Sequence, residues 1–132
     1  MKMNPDPKIF VVEDNPMYQA LVMKELSVLS NDITVFSTGE NFLDQISEKP
    51  DVVILDYNLE GHINGYDVLV ELKKQSSPSP VIFFSSQTEP AVTDSVRKMG
   101  VADYIEKNIF SLRKLRSSID SILSSSPDGY MA

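Results

Sequence analysis

Val52-Val53-Ile54-Leu55-Asp56 sets four apolar, mostly β-branched residues in a row and ends them at a carboxylate. Such a run predicts a strand buried on both faces, because a half-exposed strand would alternate apolar with polar. Asp56 is then the first residue the chain offers as it leaves the core. An acid in that place is either a turn-former or a working group, and the rest of the chain decides which.

Two similar runs lie on either side. Residues 8–12 (KIFVV) end at Glu13-Asp14, and residues 81–84 (VIFF) end at Ser85-Ser86. Residues 33–36 and 102–106 read as two further strands, the last ending at Lys107. Helical patterns fill the gaps. Asn15 and Pro16 form an N-cap and first position ahead of the stripe Tyr18, Leu21, Val22, Leu26, Leu29. Ser37-Thr38-Gly39-Glu40 fits a capping box that opens a short helix with Phe42, Leu43 and Ile46. Residues 65–75 carry Val68, Leu69 and Leu72 inward. Thr88 is the expected cap of a helix with Val92, Val96 and Met99, closed by Gly100. Asn108 or Ser111 caps a last helix with Leu112, Leu115, Ile119, Ile122 and Leu123.

Five strands alternating with five helices predict a doubly wound α/β fold, with a parallel sheet covered by helices on both faces. The expected strand order is 2-1-3-4-5, the flavodoxin-like arrangement. Its ligand crevice lies at the carboxyl ends of strands 1 and 3, where the winding reverses.

Composition agrees. A chain of 132 residues suits one domain. The expected divisions are an arm at 1–7, the domain at 8–124 and a flexible tail at 125–132. A net charge of −7 argues against a nucleic-acid groove, which needs clustered Lys and Arg. The absence of Cys excludes disulfides and thiolate metal sites. Residues 1–7 hold two Pro and an Asp, unlike a signal peptide. No apolar run approaches the ~20 residues of a membrane helix. The expectation is a cytoplasmic protein with no membrane or nucleic-acid partner.

The strand ends carry the chemistry. Glu13, Asp14, Asp56, Ser85 and Lys107 all stand where a core strand exits, so a parallel sheet brings them to one edge. Each alone has a bland reading as a cap, a turn hydroxyl or a solvated charge. Together, three acids repel one another and call for a cation. Magnesium favours one or two carboxylates with waters and a phosphate oxygen. A metal beside a free carboxylate, a hydroxyl and an ammonium suits phosphoryl transfer, and an Asp can accept the group covalently.

Here the sequence resembles the response-regulator receiver domains, the phosphoacceptors of two-component signalling. The matching segments are Val11-Val12-Glu13-Asp14-Asn15, Val53-Ile54-Leu55-Asp56-Tyr57-Asn58-Leu59, Asn64-Gly65, Pro80-Val81-Ile82-Phe83-Phe84-Ser85-Ser86, and Gly100-Val101-Ala102-Asp103-Tyr104-Ile105-Glu106-Lys107. The resemblance implies that Asp56 is the phosphoacceptor. It implies that Glu13 and Asp14 hold Mg2+ together with Asp56 and the backbone carbonyl of Asn58. Ser85 and Lys107 then bind the phosphoryl oxygens, and Tyr104 is the aromatic that turns inward on activation. Asn58 and Gln87 stand where the family tunes dephosphorylation; both are amides, which implies a phosphorylated lifetime at the short-to-middling end of the family range. The implied donor is a histidine kinase or phosphotransfer protein, and the implied output is an unknown protein partner meeting helix 4, strand 5 and helix 5. Such a protein is not an enzyme in the usual sense, since it catalyses only its own phosphorylation and dephosphorylation. The chain stops soon after the last helix, which suits a stand-alone receiver or one domain of a longer protein such as a hybrid kinase; Met1 with only a short arm before the first strand favours the single-domain type.

Three departures stand out. The stretch from Asp56 to Gly65 is one position longer than the commonest family pattern, and Glu60 replaces a frequent Pro, adding negative charge near the site. Asn108 follows Lys107 where the family usually has Pro, and a cis bond kept there would cost about 3 kcal/mol without proline, which leaves the isomer open between cis and trans. Ser85 replaces the commoner Thr. His62 reads as a solvated loop residue, and Tyr66 and Phe110 as packing at helix starts. The alternatives are a degenerate receiver acting as a docking module, a flavin module, and a small Asp-nucleophile phosphatase. The acidic loop after strand 1 would repel a flavin phosphate. Asp56-Tyr57-Asn58 lacks the second Asp that the haloacid-dehalogenase-like phosphatases carry.

Overall fold

The computed structural model of the protein describes residues 6–125. The elements run β1 (Lys8–Val12), α1 (Pro16–Leu26), β2 (Asp32–Phe36), α2 (Gly39–Leu43), a 3-10 turn (Ile46–Glu48), β3 (Val52–Leu55), α3 (Gly65–Lys74), β4 (Val81–Ser85), α4 (Pro90–Lys98), β5 (Asp103–Glu106) and α5 (Leu112–Ser124). All strands are parallel, in the order β2-β1-β3-β4-β5. The expected doubly wound sheet is the one observed. The proposed arm and tail lie almost wholly outside the described residues.

The unbroken apolar runs follow from the two-sided core. Ile9, Val11, Val52, Ile54, Ile82 and Phe84 pack on one face with Val22 and Leu26 of α1 and Leu115 and Ile119 of α5. Phe10, Val12, Val53, Leu55, Val81 and Phe83 pack on the other with Phe42, Val68, Leu69, Leu72 and Val96. Every side chain of β3 is buried. Truncating Leu55 to Ala would therefore cost about 2–5 kcal/mol, by lost transfer energy and the cavity left behind.

Register makes the carboxyl ends flush. Val12 pairs with both Phe36 and Leu55, Leu55 with Phe83, and Ser85 with Glu106. The ladder then runs one residue past the strands: Glu13 N–H donates to Phe36 O, Asp56 N–H to Val12 O and Lys107 N–H to Ser85 O, at 2.9, 3.1 and 2.9 Å. The backbone of the crevice is thus held by the sheet itself.

Local chemistry departs from expectation at three places. The cap of α2 is Thr38, whose hydroxyl accepts from Asn41 N, so Ser37 and Glu40 form no capping box. Ser37 is engaged instead by Gln19 Nε2 at 3.1 Å, and Glu40 is free to bond elsewhere. The cap of α4 is Glu89 rather than Thr88, with Pro90 at the first helical position. Phe110 does not pack at a helix start; it is 87% exposed. Tyr66 does pack against the core. Gly65 is where only glycine fits, since a Cβ there would overlap the Asp56 carbonyl oxygen. Among the described residues no peptide bond is cis, so Lys107–Asn108 is trans, the isomer that costs less without proline. No helix among them is long and apolar enough to cross a membrane.

Candidate functional site

Asp56 leaves β3 with both carboxylate oxygens engaged. Oδ1 accepts from Tyr57 N at 2.7 Å and Oδ2 from Lys107 Nζ at 2.5 Å. The same ammonium donates to Glu13 Oε1 at 3.0 Å, and Glu13 Oε2 accepts from Asn15 N at 2.9 Å. Glu13 and Asp56 are each only 2% exposed. Asp14 joins them: carboxylate oxygens of Glu13, Asp14 and Asp56 lie within 4.8 Å of one another. Tyr18 closes one wall, with Lys107 Nζ 4.9 Å from its ring centroid, a cation–π contact.

The electrostatics are those of a cation site. Burial opposes ionisation of Glu13, the Asn15 N–H favours it and the Asp56 charge opposes it, so the carboxyl sits above its usual value. Burial also opposes charge on Lys107, yet its bonds to Asp56 and Glu13 outweigh that and hold the ammonium above its usual value. Three carboxylates and one ammonium leave two uncompensated negative charges. The donors are all hard oxygens, which suits Mg2+ or a similar divalent ion.

Ser85 ends β4 fully buried, its Oγ accepting from Gln87 N at 3.1 Å. Its carbonyl accepts from Lys107 N at 2.9 Å, so the two residues adjoin where β4 and β5 end. Tyr104 stands inward, 8% exposed, its ring stacked on Phe83 at 5.6 Å and its hydroxyl donating to Gln87 O at 2.6 Å. Arg97 of α4 lies over that ring at 5.5 Å. Gln87 turns its side-chain oxygen to Glu89 N, at the start of α4. Asn58 is exposed two residues past Asp56. Glu60 does not enter the acidic cluster; it is exposed and bridges through its backbone to Thr38. Tyr18 and the Tyr57 amide are the contributors that sequence reasoning missed. Tyr18 sits in an apolar helical stripe and carries no signal that separates it from core.

A family model described as the response regulator receiver domain matches residues 9–120. The chain belongs to that family. The receiver domain is 30% identical over 91 residues to the response regulator SaeR of Staphylococcus aureus, covering 69% of this chain and 39% of the relative. It therefore spans well under half the length of that protein. Among solved structures it is similar to the signal receiver domain of a putative Luxo repressor protein from Vibrio parahaemolyticus, with TM-score 0.82, 26% identity, and coverage of 89% of this chain and 90% of that one. It is likewise similar to the BeF3-activated DrrB receiver domain, with TM-score 0.79, 27% identity, and coverage of 89% and 97%.

Membership makes the chain a response-regulator receiver of a two-component system, and the cluster of Glu13, Asp14 and Asp56 fits its phosphorylation site. One further feature of this receiver lies on its surface. Among the described residues its exposed large apolar side chains are Met17, Met23, Val28, Ile109 and Phe110. Three lie on or just past α1 and two in the β5–α5 loop. Those elements meet through α1–α5 packing and through Lys107 over Tyr18.

Proposed function

We propose that this receiver accepts a phosphoryl group on Asp56 in a Mg2+-dependent reaction, and that the new charge switches the face built from α4, β5 and α5. The observation that carries this reading is the sharing of one ammonium, Lys107, between two buried carboxylates, with a third within ligand distance. Glu13, Asp14, Asp56 and the backbone carbonyl of Asn58 are the groups that would hold the ion. When bound, the ion supplies positive charge to the phosphoryl oxygens.

The protein's own residues do the rest. An oxygen of Asp56 attacks phosphorus, forming the new O–P bond. The bond from phosphorus to the donor's histidine nitrogen breaks, and its electron pair returns to that nitrogen. Lys107, bonded here to Glu13 and Asp56, would turn from them to a phosphoryl oxygen. Ser85 leaves Gln87 N and donates its hydroxyl to another. Reversal is hydrolysis: water attacks phosphorus, the P–O bond to Asp56 breaks, and the carboxylate and inorganic phosphate result. The protein turns over no separate substrate, so it is a phosphoacceptor rather than an enzyme.

Switching follows from the links of Tyr104. Its hydroxyl is tied to the β4–α4 loop that Ser85 begins, and its ring to Arg97 of α4. Movement of Ser85 toward new charge on Asp56 is thereby felt at α4 and β5, where a protein partner would read it. The phosphodonor is a histidine kinase or phosphotransfer protein, met in the cytoplasm. The exposed apolar side chains Met17, Ile109 and Phe110, in the segments that follow β1 and β5, support a protein donor, since such a patch favours burial against a partner. The test is phosphoryl uptake from a small donor with Mg2+ and with excess chelator: uptake that persists in chelator would overturn the metal dependence.

A further inference from the structure

We propose that Glu40 is a positioning residue for the phosphorylation site: its carboxylate latches the β3–α3 loop and thereby fixes Asn58, the residue assigned to complete the metal ligands. The inference rests on the phosphoacceptor reading above.

The loop between Asp56 and α3 is held at its far end by its own chain. Gly65 N–H donates to Tyr57 O at 2.7 Å. Asn64 and Asp67 form a reciprocal capping box, each side chain accepting from the other's backbone at 2.9 Å. Hydrogen bonds tie its middle to the start of α2, and Leu59 and Ile63 pack on the core. Glu60 bridges to Thr38, and His62 N–H donates to Glu40 Oε2 at 2.9 Å. Gly61 lies between them at φ 95°, and a Cβ there would stand 2.7 Å from Glu40 Oε1. That oxygen is buried without a hydrogen-bond partner, so the loop has closed down over the carboxylate. The His62 N–H, with Glu40's own amide, holds the carboxyl below its usual value. Ile63 completes the contact, packing where a Cβ on Gly39 would come within 2.9 Å of it.

The need for such a latch follows from length. The nine residues 56–64 between β3 and α3 have many conformations to lose when they order. Metal ligation by a backbone carbonyl requires the loop in one of them, and apparent affinity falls with the fraction in that conformation. Glu40 is available because Thr38 took the cap, so the Glu40 carboxylate closes no capping box.

The test compares wild type, Glu40→Gln, Glu40→Ala, Gly61→Ala and the Glu40→Ala/Gly61→Ala double variant. Three quantities are read: exchange of the His62 amide in metal-free protein, the Mg2+ dissociation constant, and the lifetime of the phosphorylated form. Loss of a bond to a charged acceptor should speed His62 exchange about tenfold in Glu40→Ala. Mg2+ binding should weaken about fivefold, as the competent loop population falls. Glu40→Gln should keep most of both, because the amide oxygen accepts the same N–H. Gly61→Ala should reproduce the defect, and the double variant should be no worse than either single, since both break one latch. A Glu40→Ala protein that melts lower but keeps the wild-type Mg2+ affinity and lifetime would overturn the proposal and leave the phosphoacceptor reading standing. A wild type that binds no Mg2+ or takes no phosphoryl group would overturn that reading, and this one with it.

Discussion

Lys107 Nζ lies 2.5 Å from Asp56 Oδ2, joining residues 51 positions apart in the chain. Its second bond, to Glu13, makes it the one cation that the described site supplies to three acids. Lys107→Met would leave two buried carboxylates facing each other. Removing one partner of a buried pair costs about 3 kcal/mol. Mg2+ would replace the missing charge, so thermal melts should show a larger Mg2+-induced rise for Lys107→Met than for wild type. In wild type, saturation at a hundred times Kd should add about 2.7 kcal/mol. An equal or absent rise in the two proteins would contradict this.

Tyr104 predicts an alkaline limb of stability. Burial, opposed by its hydroxyl's contact with Ser85 and reinforced by the Asp56 charge, holds its phenol above the ordinary 10.0. The native state then keeps a proton that the unfolded chain has lost, so stability is full below about pH 10 and falls as pH rises through the folded value. Lys107, also raised, acts in the same direction. Denaturant melts from about pH 9 to pH 11 should therefore show a shallower decline for Tyr104→Phe. At neutral pH that variant should lose about 1 kcal/mol with its bond to Gln87 O. Parallel declines would remove the coupling.

Phe110 predicts a difference between donors. A side chain this exposed contributes little to folding, so Phe110→Ser should change stability by no more than about 0.5 kcal/mol. Transfer from a phosphohistidine protein should slow relative to transfer from a small phosphodonor. An unchanged ratio of the two rates would separate the apolar rim from donor docking.

The phosphorylated protein should decay at the short-to-middling end of the family's range, because Asn58 and Gln87 neither repel water nor wall it off. Gln87 strengthens the case, since its side-chain oxygen is engaged by Glu89 N. Decay followed by the mass of the intact protein decides this; a lifetime of many hours would contradict it.

How much of this was legible in the sequence varies with the kind of interaction. Val52–Leu55 could be read because burial on both faces leaves a continuous apolar run. Glu13, Asp14, Asp56, Ser85 and Lys107 could be placed on one edge because parallel strands share a direction. The cap of α2 could not: Ser37 and Thr38 are both good caps, and Gln19, 18 residues before Ser37, decided between them. Glu40's bond to His62 followed from that choice and crosses 22 positions. Phe110 was misplaced because apolar character gives a tendency to burial, and the β5–α5 loop turns it outward. The inward position of Tyr104 depends on a rotamer, which residue type alone does not set.

The central claim is that Asp56 accepts the phosphoryl group. Wild type and Asp56→Asn should each be incubated with a small phosphodonor and Mg2+, and their intact masses measured. The account predicts that wild type gains the mass of one phosphoryl group and Asp56→Asn gains none. Equal gains in both proteins, or no gain in either, would contradict it.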